Sequence, residues 1–217
     1  MLASPPFADP SLLLTLLFAV TLTAGLLLKL WLNSRQIRHV AQHRKQVPSA
    51  FANTITLAAH QKAADYTLAK VRLSLIELAL GTALLMGWTL LGGLSFLNAV
   101  LLSALGGGLA QQLALIAAFV VINGLLELPL SWYQTFVVES RFGFNKTSTR
   151  LWLLDLLKSS GLGAVIGLPI VALILWVMDA TGSLWWLWTW TVWMGFNLLL
   201  LLIYPSFIAP LFNKFTP

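Results

Sequence analysis

Long apolar runs separated by polar, charge-bearing connections set the pattern of this chain. A bilayer core about 30 Å thick takes about 20 helical residues to cross, because each residue rises about 1.5 Å. Five runs reach that length, at residues 11–32, 73–91, 109–128, 160–178 and 184–204. They predict an all-α integral membrane protein with about five transmembrane helices. The first run carries one charge, Lys29, close enough to its end to snorkel toward the head groups. No basic segment precedes it and it is longer than the apolar region of a signal peptide, so it reads as a retained anchor. Pro5, Pro6, Asp9 and Pro10 ahead of it predict a short disordered tail over residues 1–10.

The connections differ in character. Residues 33–72 are too long and too patterned to be a tether. From Ser49 onward they hold no Gly or Pro and are rich in Ala, which predicts one long helix running into the second span and protruding below the membrane. Such a helix either docks a cytoplasmic domain or lies on anionic lipid. Residues 92–108 are uncharged and Gly-rich, with an apolar stretch too short to cross, suited to the interface or to a re-entrant dip. The fourth span contains Gly163 and Gly167, a spacing that leaves one smooth face, and Pro169, a place for a kink. The fifth opens with Trp185, Trp186, Trp188, Trp190 and Trp193, a head-group belt, and Pro205 and Pro210 are expected to break the helix behind it.

Composition agrees with lipid as the solvent: 59% of the 217 residues are hydrophobic, 9% are charged, and the mean hydropathy is +0.85. Without cysteine there is no disulfide, thiolate metal site or Cys nucleophile. The net charge of +6 sets topology and meets anionic head groups; nucleic acid is not needed to explain it. Eight of the 13 basic residues lie from Lys29 to Arg72, four at Arg141, Lys146, Arg150 and Lys158, and the last is Lys214. With five spans these regions share one face, whereas the other face has only Asp9 and Asp179. Positive loops stay cytoplasmic, so the N-terminus is expected outside and the C-terminus in the cytoplasm.

Candidate chemistry is sparse. His39 and His43 stand four apart, on one helix face at metal-ligand spacing, but Val40 replaces the Glu of an H-E-x-x-H site and no third ligand follows. Glu77 and Glu127 are carboxylates within apolar spans, expected about one turn inside the cytoplasmic boundary. With Asn123 they are candidates to line a polar vestibule, with Lys70, Arg72 or Arg141 as possible partners; snorkelling at helix ends is the plainer alternative. The loop after the third span is expected to fasten the cytoplasmic face through Glu139, Arg141, Phe142, Gly143, Phe144, Asn145 and Lys146, with Gly143 in a tight turn. Asp155 and Lys158 are spaced for a helix-surface pair.

Two blocks then carry a resemblance. One is F-V-V-E-S-R-F-G-F-N-K at 136–146, continued by L-L-D-L-L-K at 153–158. The other is I-Y-P-S-F-I-A-P-L-F-N-K-F-T-P at 203–217, which contains Tyr204, Pro205, Pro210 and Asn213. With R-Q-I-R-H-V at 35–40 and H-Q-K-A-A-D-Y-T at 60–67, they resemble the CAAX prenyl protease 1 family of zinc-dependent membrane endopeptidases over almost the whole chain. The resemblance implies a water-filled intramembrane chamber with zinc at its cytoplasmic end, held by H-E-x-x-H and a later Glu. Those motifs have no matching position here, so no catalytic or metal residue is carried over. The chain is expected to be the amino-terminal membrane part, inactive alone, residing in a bacterial inner membrane. Its implied partners are lipid, a downstream zinc protease domain, and the peptide or protein substrate of the complete enzyme. A stand-alone membrane scaffold or transporter-like protein is the rival reading.

Overall fold

Apolar side chains that meet lipid leave the backbone no solvent partner, so the chain satisfies its own N–H and C=O groups in helices. The computed structural model describes residues 10–209, and among them every regular element is helical, without a strand. Of the tail expected at 1–10, Pro10 instead opens the first helix, and residues 1–9, like Pro210 and Asn213, lie outside the described residues.

Helix α1, Pro10–His43, has 34 residues. At 1.5 Å per residue it is about 50 Å long, so its last turns run well past a hydrocarbon core. The long helix expected to run from Ser49 into the second span is present but starts later, after a short 3-10 turn, Ser49–Phe51, and further turns. Helix α2, Leu57–Thr89, starts where Thr56 turns extended and its hydroxyl accepts the Ala59 N–H at 3.2 Å, a side-chain cap that the Ala-rich pattern hid. α2 breaks at residues 90–92, with Gly92 at φ +78°, and α3, Gly93–Leu105, resumes at a 54° bend. The uncharged Gly-rich connection is therefore largely helix.

Helix α4, Leu109–Tyr133, passes through Pro129 without ending. It continues into a wider π-helical stretch, Gln134–Glu139, and the single turn α5, Ser140–Phe142. Most of the expected loop after the third span is thus helix. Ser148 caps α6, Thr149–Ala180, by accepting the Leu151 N–H, and Pro169 sits inside that helix. α7, Trp185–Ile203, follows the short turn Gly182–Leu184. Its tryptophans at 185, 186, 188, 190 and 193 are all exposed, as a head-group belt requires. Pro205 does not break the helix as expected. The chain widens into a second π-helical stretch, Tyr204–Ile208, a geometry that accommodates a residue without an N–H.

α1, α4 with its extension, α6 and α7 are each long and apolar enough to cross a bilayer, and α2 with α3 qualifies as a bent pair. The protein is an all-α integral membrane protein.

The chain divides into two compact units. Unit 1 comprises Met1–Phe96 and Ile122–Lys146; in it α1 packs along α2, and α2 along the π-helical extension of α4. Unit 2 comprises Leu97–Val121 and Thr147–Pro217, with α6 packed on α7. Within unit 2 the buried Gln111 donates Nε2–H to Asn98 Oδ1 at 2.7 Å, an amide pair that links the start of α4 to α3 in apolar surroundings.

Candidate functional site

The polar chemistry of unit 1 gathers where α1 ends, α2 begins and the α4 extension ends. The first anchor is an ion pair. Arg44, just past α1, reaches Asp65 on α2 with both arms of its guanidinium, Nε to Oδ1 and Nη2 to Oδ2, each at 2.7 Å. That fork-to-fork match is the geometry in which Arg binds carboxylate best. The hydrogen bonds from Arg44 hold the Asp65 carboxyl below its ordinary 3.8, with the charges of Arg44 and Arg141 adding to the effect. The same bonds raise the Arg44 guanidinium above its ordinary value. Beside it, His60 Nε2 lies 3.0 Å from the carbonyl oxygen of His43, which also accepts the Gln46 N–H at 3.3 Å, so the α1 terminus gains a second donor, from α2.

The second anchor is aromatic. Tyr66, the residue after Asp65, packs against Phe142 edge-on at 5.3 Å between centroids and against Phe144 tilted at 4.7 Å. Gly143 makes that clamp possible. It ends the helix at φ +79°, in the left-handed region where an L side chain is strained. The Gly143 N–H then donates to the Ser140 carbonyl at 3.1 Å and the Phe144 N–H to the Glu139 carbonyl at 2.9 Å. These two bonds form a Schellman termination, which turns the chain so that residues on either side of the glycine grip one ring. Asn145 secures it, donating its N–H to the Glu139 carbonyl and Nδ2–H to Ser140 Oγ at 3.0 Å. Cations ring the clamp: Lys70 Nζ lies 5.5 Å from the Tyr66 ring centre and the Arg141 guanidinium 5.8 Å from that of Phe142. Phe142 is buried, Glu139 and Asn145 are half-buried, and Arg141, Phe144 and Lys146 are exposed.

Asn123 is held elsewhere, accepting the indole N–H of Trp88 at 3.0 Å across α2 and α4. With Trp88 beside Asn123 and Tyr66 beside Phe142, α2 and the end of α4 run antiparallel. On that register Glu77 is level with about residue 133, which places Glu127 about 9 Å away along the axis. Because α4 and its extension continue past Pro129 to Phe142, Glu127 lies well inside a continuous helix. Both carboxylates are exposed, and neither makes an ion pair with Lys70, Arg72 or Arg141.

In unit 2, half-buried Asp155 lies on α6 without an ion pair to Lys158, while exposed Tyr204 and Pro205 begin the terminal π-helical stretch. Asp65, Tyr66 and Arg44 are site residues that sequence reasoning missed. The adjacent D-Y within H-Q-K-A-A-D-Y-T was their visible signal.

Among the described residues no group of three or more His, Cys, Asp or Glu is placed to hold a metal. His43 Nδ1 lies 2.8 Å from the His39 carbonyl and His60 Nε2 faces that of His43, so ring nitrogens of this cluster are committed to backbone. These residues do not fit a zinc centre.

A family model described as CAAX prenyl protease N-terminal, five membrane helices, matches residues 36–214. The CAAX prenyl protease 1 of Saccharomyces cerevisiae is 41% identical over 110 residues, covering 50% of this chain and 24% of the relative. The CAAX prenyl protease 1 homolog of Arabidopsis thaliana is 38% identical over 107 residues, covering 49% and 25%. The crystal structure of S. mikatae Ste24p aligns with a TM-score of 0.85 at 28% identity, over 93% of this chain and 48% of that one. The match thus spans about a quarter of the curated relatives and about half of the solved structure.

Proposed function

Since the chain belongs to the CAAX prenyl protease N-terminal family of five membrane helices, we propose that it is the non-catalytic membrane domain of a zinc metalloendopeptidase, building part of an intramembrane chamber wall. The observation that carries this reading is the match over residues 36–214 in a chain that has no H-E-x-x-H. Zinc and the residues that bind it belong, on this reading, to a protease domain in the complete protein. Zinc bound there would supply Lewis-acid and water-activating chemistry, and no residue of this chain is assigned to hold it. The part played by this chain is to span the bilayer, enclose the substrate, and present the joint around Arg44, Asp65, Tyr66 and the 142–146 turn to that domain. Tyr204 and Pro205, at the start of the terminal π-helical stretch, lead toward the junction on this reading. Glu77 and Glu127, at two depths, give the wall polar positions, and Asn123 braces it through Trp88. The one-sided positive charge supports an N-terminus outside and a C-terminus in the cytoplasm, in a bacterial inner membrane.

The purified chain is to be assayed for bound zinc and for cleavage of a prenylated CAAX peptide, alone and fused to an H-E-x-x-H-bearing remainder from the yeast relative. Neither zinc nor cleavage is expected from the chain alone, and both from the fusion. Stoichiometric zinc with proteolysis by the chain alone overturns the non-catalytic reading. A folded fusion that binds zinc yet leaves the peptide intact favours a scaffold.

A further inference from the structure

Within unit 1, α1 and α2 border a cleft of about 280 Å³ that lies among membrane-spanning residues. Its α1 wall is one helix face: Phe18, Leu22, Gly25 and Lys29 recur at the spacing that stacks side chains in line. Leu78 faces them from α2. A Cβ at Gly25 would meet nothing within 4 Å, so the middle of the cleft is open space into which a larger side chain there would project. The neighbouring Thr82 hydroxyl is satisfied by the Leu78 carbonyl, at 2.8 Å, which leaves Thr21 and Lys29 as the other polar side chains of a mostly apolar lining.

We propose that this cleft holds one acyl chain of an anionic phospholipid whose phosphate sits on Lys29. Length, charge and polarity all point to that occupant. From Phe18 to Lys29 the cleft follows α1 for about 16 Å, which is half of a core about 30 Å thick, so it runs from head-group level to the midplane as a single acyl chain does. At the head-group end Lys29 has no ion pair among the described residues, and Glu77, beside Leu78, does not reach it. The rest of this end of unit 1 is cationic, with Arg35, Arg38, Lys45, Lys62, Lys70 and Arg72 following, and its Asp65 is already bound by Arg44. A zwitterionic head group would bring its own ammonium into that field, whereas an anionic one brings only the charge that Lys29 lacks.

Native mass spectrometry of the detergent-solubilised chain with equal amounts of phosphatidylglycerol and phosphatidylethanolamine tests the assignment. One phosphatidylglycerol is expected to be retained. Lys29→Met is expected to lower that retention about tenfold through loss of one charge-assisted contact. Gly25→Leu should lower it with Lys29 intact, because the side chain fills the space the acyl chain would take. Arg150→Met, which removes a cation from unit 2, should leave it unchanged. Unaltered melting of Lys29→Met confirms that the variant is folded, as expected for an exposed side chain without an ion pair. Equal retention of both lipids, undiminished retention in Lys29→Met, or an equal loss in Arg150→Met would overturn the proposal.

Discussion

Arg44 and Asp65, 21 residues apart in sequence, close the gap between the end of α1 and the start of α2 with two parallel bonds of 2.7 Å. The pair is solvent-accessible at 36% and 41%, so its worth lies in geometry more than in burial. Two long helices that meet as a hairpin need their register fixed, and a two-pronged bond fixes position and angle together.

That pair sets a pH dependence. The Asp65 carboxyl is held below its ordinary 3.8 in the folded protein, so the folded state is favoured above that value and loses the benefit as pH falls through the depressed one. Arg44, held above its ordinary value by the same pair, stays protonated throughout this range, so the Asp65 carboxyl sets the dependence. Unfolding in detergent, followed by circular dichroism between pH 7 and pH 3, is expected to show acid destabilisation that Asp65→Asn reduces. An identical pH profile in the variant would show that the pair does not couple to folding.

Gly143 is required by its backbone and not by the space around it: the nearest atom to a Cβ added there would be Lys62 Nζ at 3.9 Å, but φ is +79°. Gly143→Ala is therefore expected to cost about 1–2 kcal/mol. Gly143→Asn is expected to cost less, because Asn tolerates the left-handed region. Equal stability of the alanine variant, measured by thermal unfolding, would mean that the turn relaxes to another geometry.

Tyr66 contributes its ring, since no hydrogen bond of its hydroxyl accompanies the contacts to Phe142 and Phe144. Tyr66→Phe is expected to be nearly silent, while Tyr66→Ala loses two aromatic contacts worth about 0.5–1.5 kcal/mol each beyond their buried area. A double-mutant cycle with Phe144→Ala measures the coupling directly; additivity would show that the clamp is a crowd of independent contacts.

The membrane architecture is legible because lipid imposes one rule on every run of about 20 residues, independent of what the run packs against. Gly143 as a turn is legible for a similar local reason. What escapes is set by neighbours in space. α1 runs on to His43 through charged residues because α2 supports it, with His60 on the His43 carbonyl and Asp65 on Arg44. The stretch Ser131–Arg141 has a loop's composition yet is helical, since Val138 and Phe142 are buried. Pro129 and Pro205 mark stops in a soluble helix, but here the chain passes both.

Trp88 and Asn123 offer the test of how α2 and α4 hold together within the bilayer. Their 3.0 Å bond joins helices 35 residues apart in a region where water does not compete for either partner. Even so, an interhelical bond of this kind averages about 0.6 kcal/mol and rarely exceeds about 1.7, because the separated helices also find partners in lipid. Asn123→Leu is expected to remove that much, and Trp88→Phe a comparable amount, with little further loss in the double variant. The check is a double-mutant cycle on detergent unfolding. Fully additive losses would mean that each side chain acts alone, and the antiparallel register that separates Glu77 from Glu127 would then rest on the joint at Tyr66 and not on this bond.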